Sequence, residues 1–166
     1  MLLALAAFAA FAQSGKPRAT ASEAQARLEQ LQADPKARAA ALKAGASVAA
    51  VCANCHGDSG VSSKPEVPNL AGQNAQYLME QMRQFAEGQR RNEFMEAMIK
   101  AMSADERAAA VLFYASRPVP PRPAADAARA ARGAELYARN CFRCHGADGH
   151  GNAHCQEAWS VLAVFE

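Results

Sequence analysis

Two short motifs in this chain combine residue types that can hold a metal cofactor covalently. Residues 52–56, CANCH, and residues 141–145, CFRCH, both read Cys-x-x-Cys-His. Two residues between the cysteines let each thiol add to one of the two vinyl groups along a single haem edge, and the adjoining histidine then reaches the iron. The residues available for this chemistry are Cys52, Cys55, His56, Cys141, Cys144 and His145. The spacing therefore predicts haem c at the first motif and a second haem c at the other.

Cys-x-x-Cys pairs also occur in zinc sites, disulfides and thioredoxin-like redox sites. A zinc site needs both pairs close together, whereas Cys55 and Cys141 lie far apart in the chain, and zinc leaves the following histidines and glycines unexplained. A thioredoxin-like site belongs in a βαβ setting, which this composition does not favour. Haem attachment accounts for more of each motif than these alternatives do.

The composition predicts that helices position both motifs. Alanine is abundant, Ile99 is the single isoleucine and the valines are scattered, so no sustained strand pattern is present. Capping residues and apolar spacing predict helices that begin at Ser22 with a capping box to Gln25, at Pro35 (to about Val51), at about Asn74 (to Glu87), at Ser103 (ending before Pro118) and at about Ala125 (to Asn140). The expected fold class is all-α, with the first motif at a helix C-terminus.

Residues 1–12, MLLALAAFAAFA, form a short apolar run that ends in a small-x-small pattern typical of export signals. No Lys or Arg precedes the run, so we expect an incomplete signal peptide, with a buried N-terminal helix as the alternative. The run is too short to cross a bilayer comfortably, and we therefore expect no stable membrane span. Export predicts a periplasmic location.

Several longer segments carry a family resemblance. CANCHGDSGV, PNLAGQ, YLMEQMRQFAEGQR and FMEAMIKAMS, in this order, resemble the small class I c-type cytochromes of bacteria, especially the di-haem, two-domain cytochromes of the c-four type. The resemblance covers residues 44–117 and part of residues 125–149. It implies the class I cytochrome c fold, with one complete domain plus an incomplete second copy.

The proline-rich segment SRPVPPRPA separates the two regions of this resemblance. Such a segment is typical of a stiff, extended linker. The expected divisions are a signal peptide at 1–12, an N-terminal extension at 13–34, cytochrome c domain 1 at 35–117, a Pro-rich linker at 118–124 and a truncated cytochrome c domain 2 at 125–166.

The resemblance implies an electron carrier rather than an enzyme. Its partners would be redox proteins such as a cytochrome bc complex and a terminal oxidase. The formal charge is +2 and no segment is typical of nucleic-acid binding, so we expect no nucleic acid as a partner. The alternative is a haem subunit of an oxidoreductase, or a peroxidase-like enzyme, that uses an open second haem.

A methionine thioether is the sixth iron ligand in the family. The candidates Met95, Met98 and Met102 recur at helical spacing, so spacing alone is equally compatible with a core stripe. The family places its ligand seven residues before the hydrophobic residue that precedes the last helix cap, here Met102-Ser103, which implies Met95.

Two further roles follow from the resemblance. The Pro68 carbonyl of PNLAGQ would accept the His56 Nδ1 proton and so fix the ring and its tautomer. Arg90 would lie near a haem propionate, with a solvated arginine as the alternative.

The chain departs from the family after the second motif. No methionine follows Cys144, and the tail AHCQEAWSVLAVFE adds Cys155 and the sole tryptophan, Trp159. We therefore expect a truncated second domain with an exposed haem, near which His150 or His154 could approach the iron.

Overall fold

The computed structural model describes residues 19–119 and 126–147 of the chain. Its helices are α1 (Ala21–Ala33), α2 (Pro35–His56), α3 (Ala75–Glu87), α4 (Glu93–Ala101), α5 (Ala104–Ala115), α6 (Ala127–Asn140) and α7 (Phe142–His145). No strand occurs in these two described ranges. This confirms the predicted all-α class. The predicted signal peptide, most of the linker and the tail from residue 148 lie outside the described residues.

Helix α1 begins two residues earlier than expected, because its cap is Thr20 rather than Ser22. The Thr20 hydroxyl accepts the Glu23 N–H at 3.2 Å, and the Glu23 carboxylate accepts the Thr20 N–H at 2.7 Å. The predicted capping box of Ser22 with Gln25 is therefore wrong. Leu28 and Leu31 of α1 are buried in the main core cluster, so this part of the N-terminal extension shares the core of the domain that follows it.

Helix α2 starts as predicted and ends later. The Asp34 carboxylate accepts the N–H groups of Lys36 and Ala37 at 2.9 and 3.2 Å, and Pro35 occupies the first helical position. The helix continues past Gly45 and through the whole first motif to His56, and it ends where Gly57 adopts a positive φ of 80°.

The core centres on the crossing of α2 and α5. Gly45 makes this close approach possible: a Cβ there would lie 2.4 Å from the Ala109 carbonyl oxygen and 2.8 Å from the Phe113 Cβ. Every residue from Arg107 to Tyr114 is buried, because α5 is covered on several sides. The predicted capping box of Ser103 with Glu106 is present at its start.

Helix α3 begins at its Asn74 cap and ends at Gly88, which has a φ of 71°, as predicted. The following helix, α4, was not predicted, since its residues were treated as a segment between helices. Asn92 caps it by accepting the Met95 N–H at 3.0 Å. The side chains of α3, α4 and α5 form a second core cluster around Phe85, Ile99, Met102 and Ala110.

Helices α6 and α7 form a separate, short unit. Asp126 caps α6, and neither helix has a buried residue. Within the described part of the chain, no helix combines the length and apolarity needed to cross a membrane.

Candidate haem site

The first motif occupies the last turn of α2. Cys52 and Cys55 stand three positions apart, which places their thiols on one face of the helix, and His56 is the final helical residue. Gly57 then turns the chain with a φ of 80°, and a Cβ there would lie 2.1 Å from the Val61 carbonyl oxygen. The glycine after the histidine is therefore required by the turn that releases the following loop.

His56 is held in one orientation by the backbone. The residue is 7% exposed, and its Nδ1 lies 2.8 Å from the Pro68 carbonyl oxygen. A carbonyl can only accept, so Nδ1 must carry the proton and Nε2 keeps its lone pair. The contact expected from the PNLAGQ segment is thus confirmed. The ring presents a metal-binding nitrogen in a fixed direction.

The loop that carries Pro68 is fastened back to the motif at several points. The Gly60 carbonyl accepts the N–H groups of Leu70 and Ala71 at 2.7 and 3.0 Å. The Ser62 N–H donates to the Asn69 side chain at 2.8 Å, and its hydroxyl donates to the Cys55 carbonyl at 3.0 Å. These bonds fix the height of the Pro68 carbonyl above the end of α2.

The two cysteines of the first motif are free thiols. Cys52 packs against the core, and burial raises the pKa of its thiol, while the nearby Tyr114 hydroxyl acts in the opposite direction. Tyr114 donates to the Ala49 carbonyl at 3.3 Å, and burial raises the pKa of Tyr114 to about 12. Sequence reasoning missed Tyr114, although its place on the buried side of α5 was a usable signal.

The methionines of the described residues differ in burial. Met79 and Met102 are buried in the core, and half-buried Met82 packs against both core clusters. Met95 and Met98 are half-buried on α4, and Met95 packs beside the second core cluster. The assignment of the sixth ligand to Met95 stays a prediction.

Arg90 is half-buried against α3. Its Nη1 donates to the Gln81 side-chain oxygen at 2.6 Å, and its guanidinium lies 4.9 Å from the centroid of the Phe85 ring. It is therefore not simply a solvated arginine, and its pairing with a propionate stays a prediction.

Arg107 is the second residue that sequence reasoning missed. It is 2% exposed in the first turn of α5, and burial lowers the pKa of its guanidinium. Its position four residues before Val111, on the apolar side of the helix, was the available signal.

The second motif has the same local structure as the first, but fewer of the described residues pack around it. Cys141 caps α6 and is half-buried, Cys144 is exposed, and Gly146 turns the chain with a φ of 75°. Tyr137 donates to the Gly146 carbonyl at 2.6 Å. No hydrogen bond from the described residues reaches the His145 ring, so nothing there sets its tautomer.

The donor set of the first motif fits a haem. Two free thiols share one helix face, and the adjoining imidazole keeps its Nε2 available. Across residues 19–119 and 126–147, no three His, Cys, Asp or Glu side chains are grouped so as to hold a bare metal ion. The two cysteine pairs therefore do not combine there into a zinc-type cluster.

The sequence matches a known family over most of its length. The family described as "Cytochrome C oxidase, cbb3-type, subunit III" matches residues 39–113 and 128–165. The chain belongs to this family of c-type cytochromes. Both motifs fall inside the matched segments, which agrees with the interpretation of each as a haem attachment sequence.

Two curated relatives and one solved structure resemble this cytochrome. The "Thiosulfate dehydrogenase electron acceptor" of Thiomonas intermedia (strain K12) is 39% identical over 110 residues, which are 59% of this chain and 50% of that protein. Cytochrome c4 of Thiocapsa roseopersicina is 36% identical over 107 residues, 60% of this chain and 55% of that protein. The cytochrome therefore spans about half the length of the curated relatives it matches.

The crystal structure of reduced recombinant cytochrome c4 from Pseudomonas stutzeri superposes on this cytochrome with a TM-score of 0.55. It is 28% identical and covers 69% of this chain and 68% of that chain. The class I cytochrome c fold and the resemblance to the c-four type are thereby confirmed.

Proposed function

We propose that this cytochrome transfers single electrons in the periplasm through a haem c attached to Cys52 and Cys55, with His56 and Met95 as axial iron ligands. One observation carries the proposal: His56 Nδ1 lies 2.8 Å from the Pro68 carbonyl, so the ring offers Nε2 beside two free thiols. The membership in a c-type cytochrome family supports the same chemistry.

Met95 is supported as the second axial ligand by its setting. It is half-buried near the start of α4, and its own N–H is held by the Asn92 cap at 3.0 Å. Met79 and Met102 have their side chains in the core, which makes them poorer candidates. Met98, on the same helix, is the appropriate comparison.

When bound, haem c supplies a one-electron couple between ferric and ferrous iron, and methionine ligation raises its potential. The protein's part is to keep the ligands in place. His56 is fixed by Pro68, while half-buried Cys52 packs against the core formed at the α2–α5 crossing. Filled axial positions leave no open site for a substrate, which favours a carrier over an enzyme.

The partners that we propose are redox proteins that dock briefly. A donor of the cytochrome bc type and a terminal oxidase as acceptor fit the family resemblance. The relative from Thiomonas intermedia is called an electron acceptor of a dehydrogenase, and we include a dehydrogenase as a further class of electron donor. Small, transient interfaces are typical of such exchange.

Replacement of Met95 tests the ligation. In the ferric protein, Met95→Ala should abolish the sulfur-to-iron charge-transfer band, because no thioether would then occupy the sixth position. The reduced variant should bind carbon monoxide. Visible absorption spectra of both oxidation states measure these effects.

Met98→Ala is the matched control, because it removes a second half-buried thioether from the same helix. It should keep the band. Loss of the band in Met98→Ala, with retention in Met95→Ala, would overturn the assignment.

A further inference from the structure

Arg107 is a buried cation without an acidic partner in the described part of the chain. Its side chain is 2% exposed, its Nη2 donates to the Ile99 carbonyl at 2.8 Å, and its Nε has no hydrogen-bond partner there. Burial of an unpaired charge carries a large desolvation penalty. Such a residue at this depth calls for a physical explanation.

The contact with Ile99 places the guanidinium at the C-terminal end of α4. The last carbonyls of a helix lack partners within the helix and carry the negative end of its dipole. The Ile99 carbonyl lies in the last turn of α4, where it also accepts the Met102 N–H at 3.1 Å. Arg107 therefore joins the start of α5 to the end of α4 by a charge-assisted hydrogen bond.

The other end of α4 is also held by a side chain. Asn92 Oδ1 accepts the N–H of Met95 itself at 3.0 Å. Helix α4 has nine residues, and a helix this short is not stable without external support. The two side chains thus secure the short helix that carries Met95.

We propose that Arg107 and Asn92 are positioning residues for the Met95 thioether. They limit the fraction of molecules in which α4 has moved and the sixth position is open. This inference rests on the proposed ligation by Met95, and it adds which residues outside the ligand set hold that ligand on the iron.

Binding of imidazole to the ferric protein measures the open fraction. Imidazole must displace the thioether, so its apparent dissociation constant equals the intrinsic constant divided by the fraction of open molecules. The displacement is measured by the loss of the sulfur-to-iron charge-transfer band. Arg107→Leu removes the charge-assisted hydrogen bond to the Ile99 carbonyl, so the affinity for imidazole should rise by about tenfold. Asn92→Ala, which removes one cap, should raise it by about fivefold.

Each variant has a matched control. Arg27→Leu removes an arginine that contacts the same first turn of α5 through Asp105, from the solvent side. Asn74→Ala removes the equivalent cap of α3, where Asn74 accepts the Tyr77 N–H at 3.0 Å. In the described part of the chain, neither control side chain has a hydrogen bond or ion pair with α4, and both variants should leave the imidazole affinity unchanged.

Arg107→Lys keeps the cation and should recover part of the wild-type affinity. If Arg107→Leu does not fold, Asn92→Ala still decides the matter, because its side chain is exposed and leaves no cavity. Unchanged imidazole affinity in Asn92→Ala and in any folded Arg107 variant, with the band present in the wild type, overturns this inference alone. A wild-type protein without the band overturns the Met95 ligation and this inference together.

Discussion

The two Cys-x-x-Cys-His segments share a local design and differ in what surrounds them. In the first, α2 passes beneath α5 at Gly45, and His56 is buried with its Nδ1 on a backbone carbonyl. In the second, a Cβ at Gly133 would meet no atom within 4 Å, and α6 has no buried residue among those described.

This contrast separates two properties that the motif alone does not distinguish. Attachment of haem requires only the thiols and the histidine at the right spacing, which both segments have. Control of the iron requires a fixed imidazole, which the Pro68 contact provides in the first unit, and a second ligand, which we propose to be Met95 of α4. We therefore expect attachment at both motifs and His/Met ligation at the first only.

The largest expected effect is the loss of ligation after removal of the first pair of thiols. Cys52→Ala with Cys55→Ala should lower the intact mass by one haem and abolish the sulfur-to-iron band, because the covalent anchor beside His56 is gone. Intact mass spectrometry and absorption spectra measure the two effects.

Cys141→Ala with Cys144→Ala is the matched control. It should also lower the mass by one haem but leave the band unchanged. The distinction between the two units is wrong if this second pair is the one whose removal abolishes the band.

Alanine substitution at Gly45 or Gly133 should have a smaller effect, on the free energy of unfolding. Gly45→Ala places a methyl group against the Ala109 carbonyl and Phe113, so the free energy of unfolding should fall by about 1–3 kcal/mol. Gly133→Ala meets open space and should stabilise α6 by about 1 kcal/mol, since alanine favours helix. Urea denaturation followed by circular dichroism measures both. Equal destabilisation by the two changes would contradict the difference in packing.

The smallest effect concerns Tyr114, which is buried near Cys52 in the first unit. Its pKa is raised to about 12 in the folded protein, because burial disfavours the phenolate. Between the ordinary pKa of tyrosine, about 10, and this value, the folded state binds more protons than the unfolded state, so stability falls as pH rises. Tyr114→Phe should make the slope of the free energy of unfolding against pH shallower by up to about 1.4 kcal/mol per pH unit.

Urea denaturation at several pH values in this window would test the Tyr114 effect. The folding free energies of wild type and variant would be compared at each pH. Curves that stay parallel throughout would show that burial of this hydroxyl does not affect the alkaline stability.

Local signals were sufficient for much of the fold. Asp34-Pro35, the Ser103 capping box and Gly88 predicted helix boundaries correctly, because capping is a contact between residues a few positions apart. The same reasoning failed for α4 and for the start of α1. Thr20 and Ser22 could both cap α1, and α4 is a short helix whose stability depends on its packing against α3 and α5.

The sequence by itself determined the chemistry of the first motif. Spacing predicted the haem thiols and the histidine, and the family resemblance predicted the Pro68 contact, because these signals lie within one turn or one short loop. Tertiary structure decided what no local pattern contains: the burial of Tyr114 beside Cys52 and the contact of Arg107 with the Ile99 carbonyl. Both contacts join different helices. They depend on the angle at which α5 crosses its neighbours, which is set by the packing of the whole core.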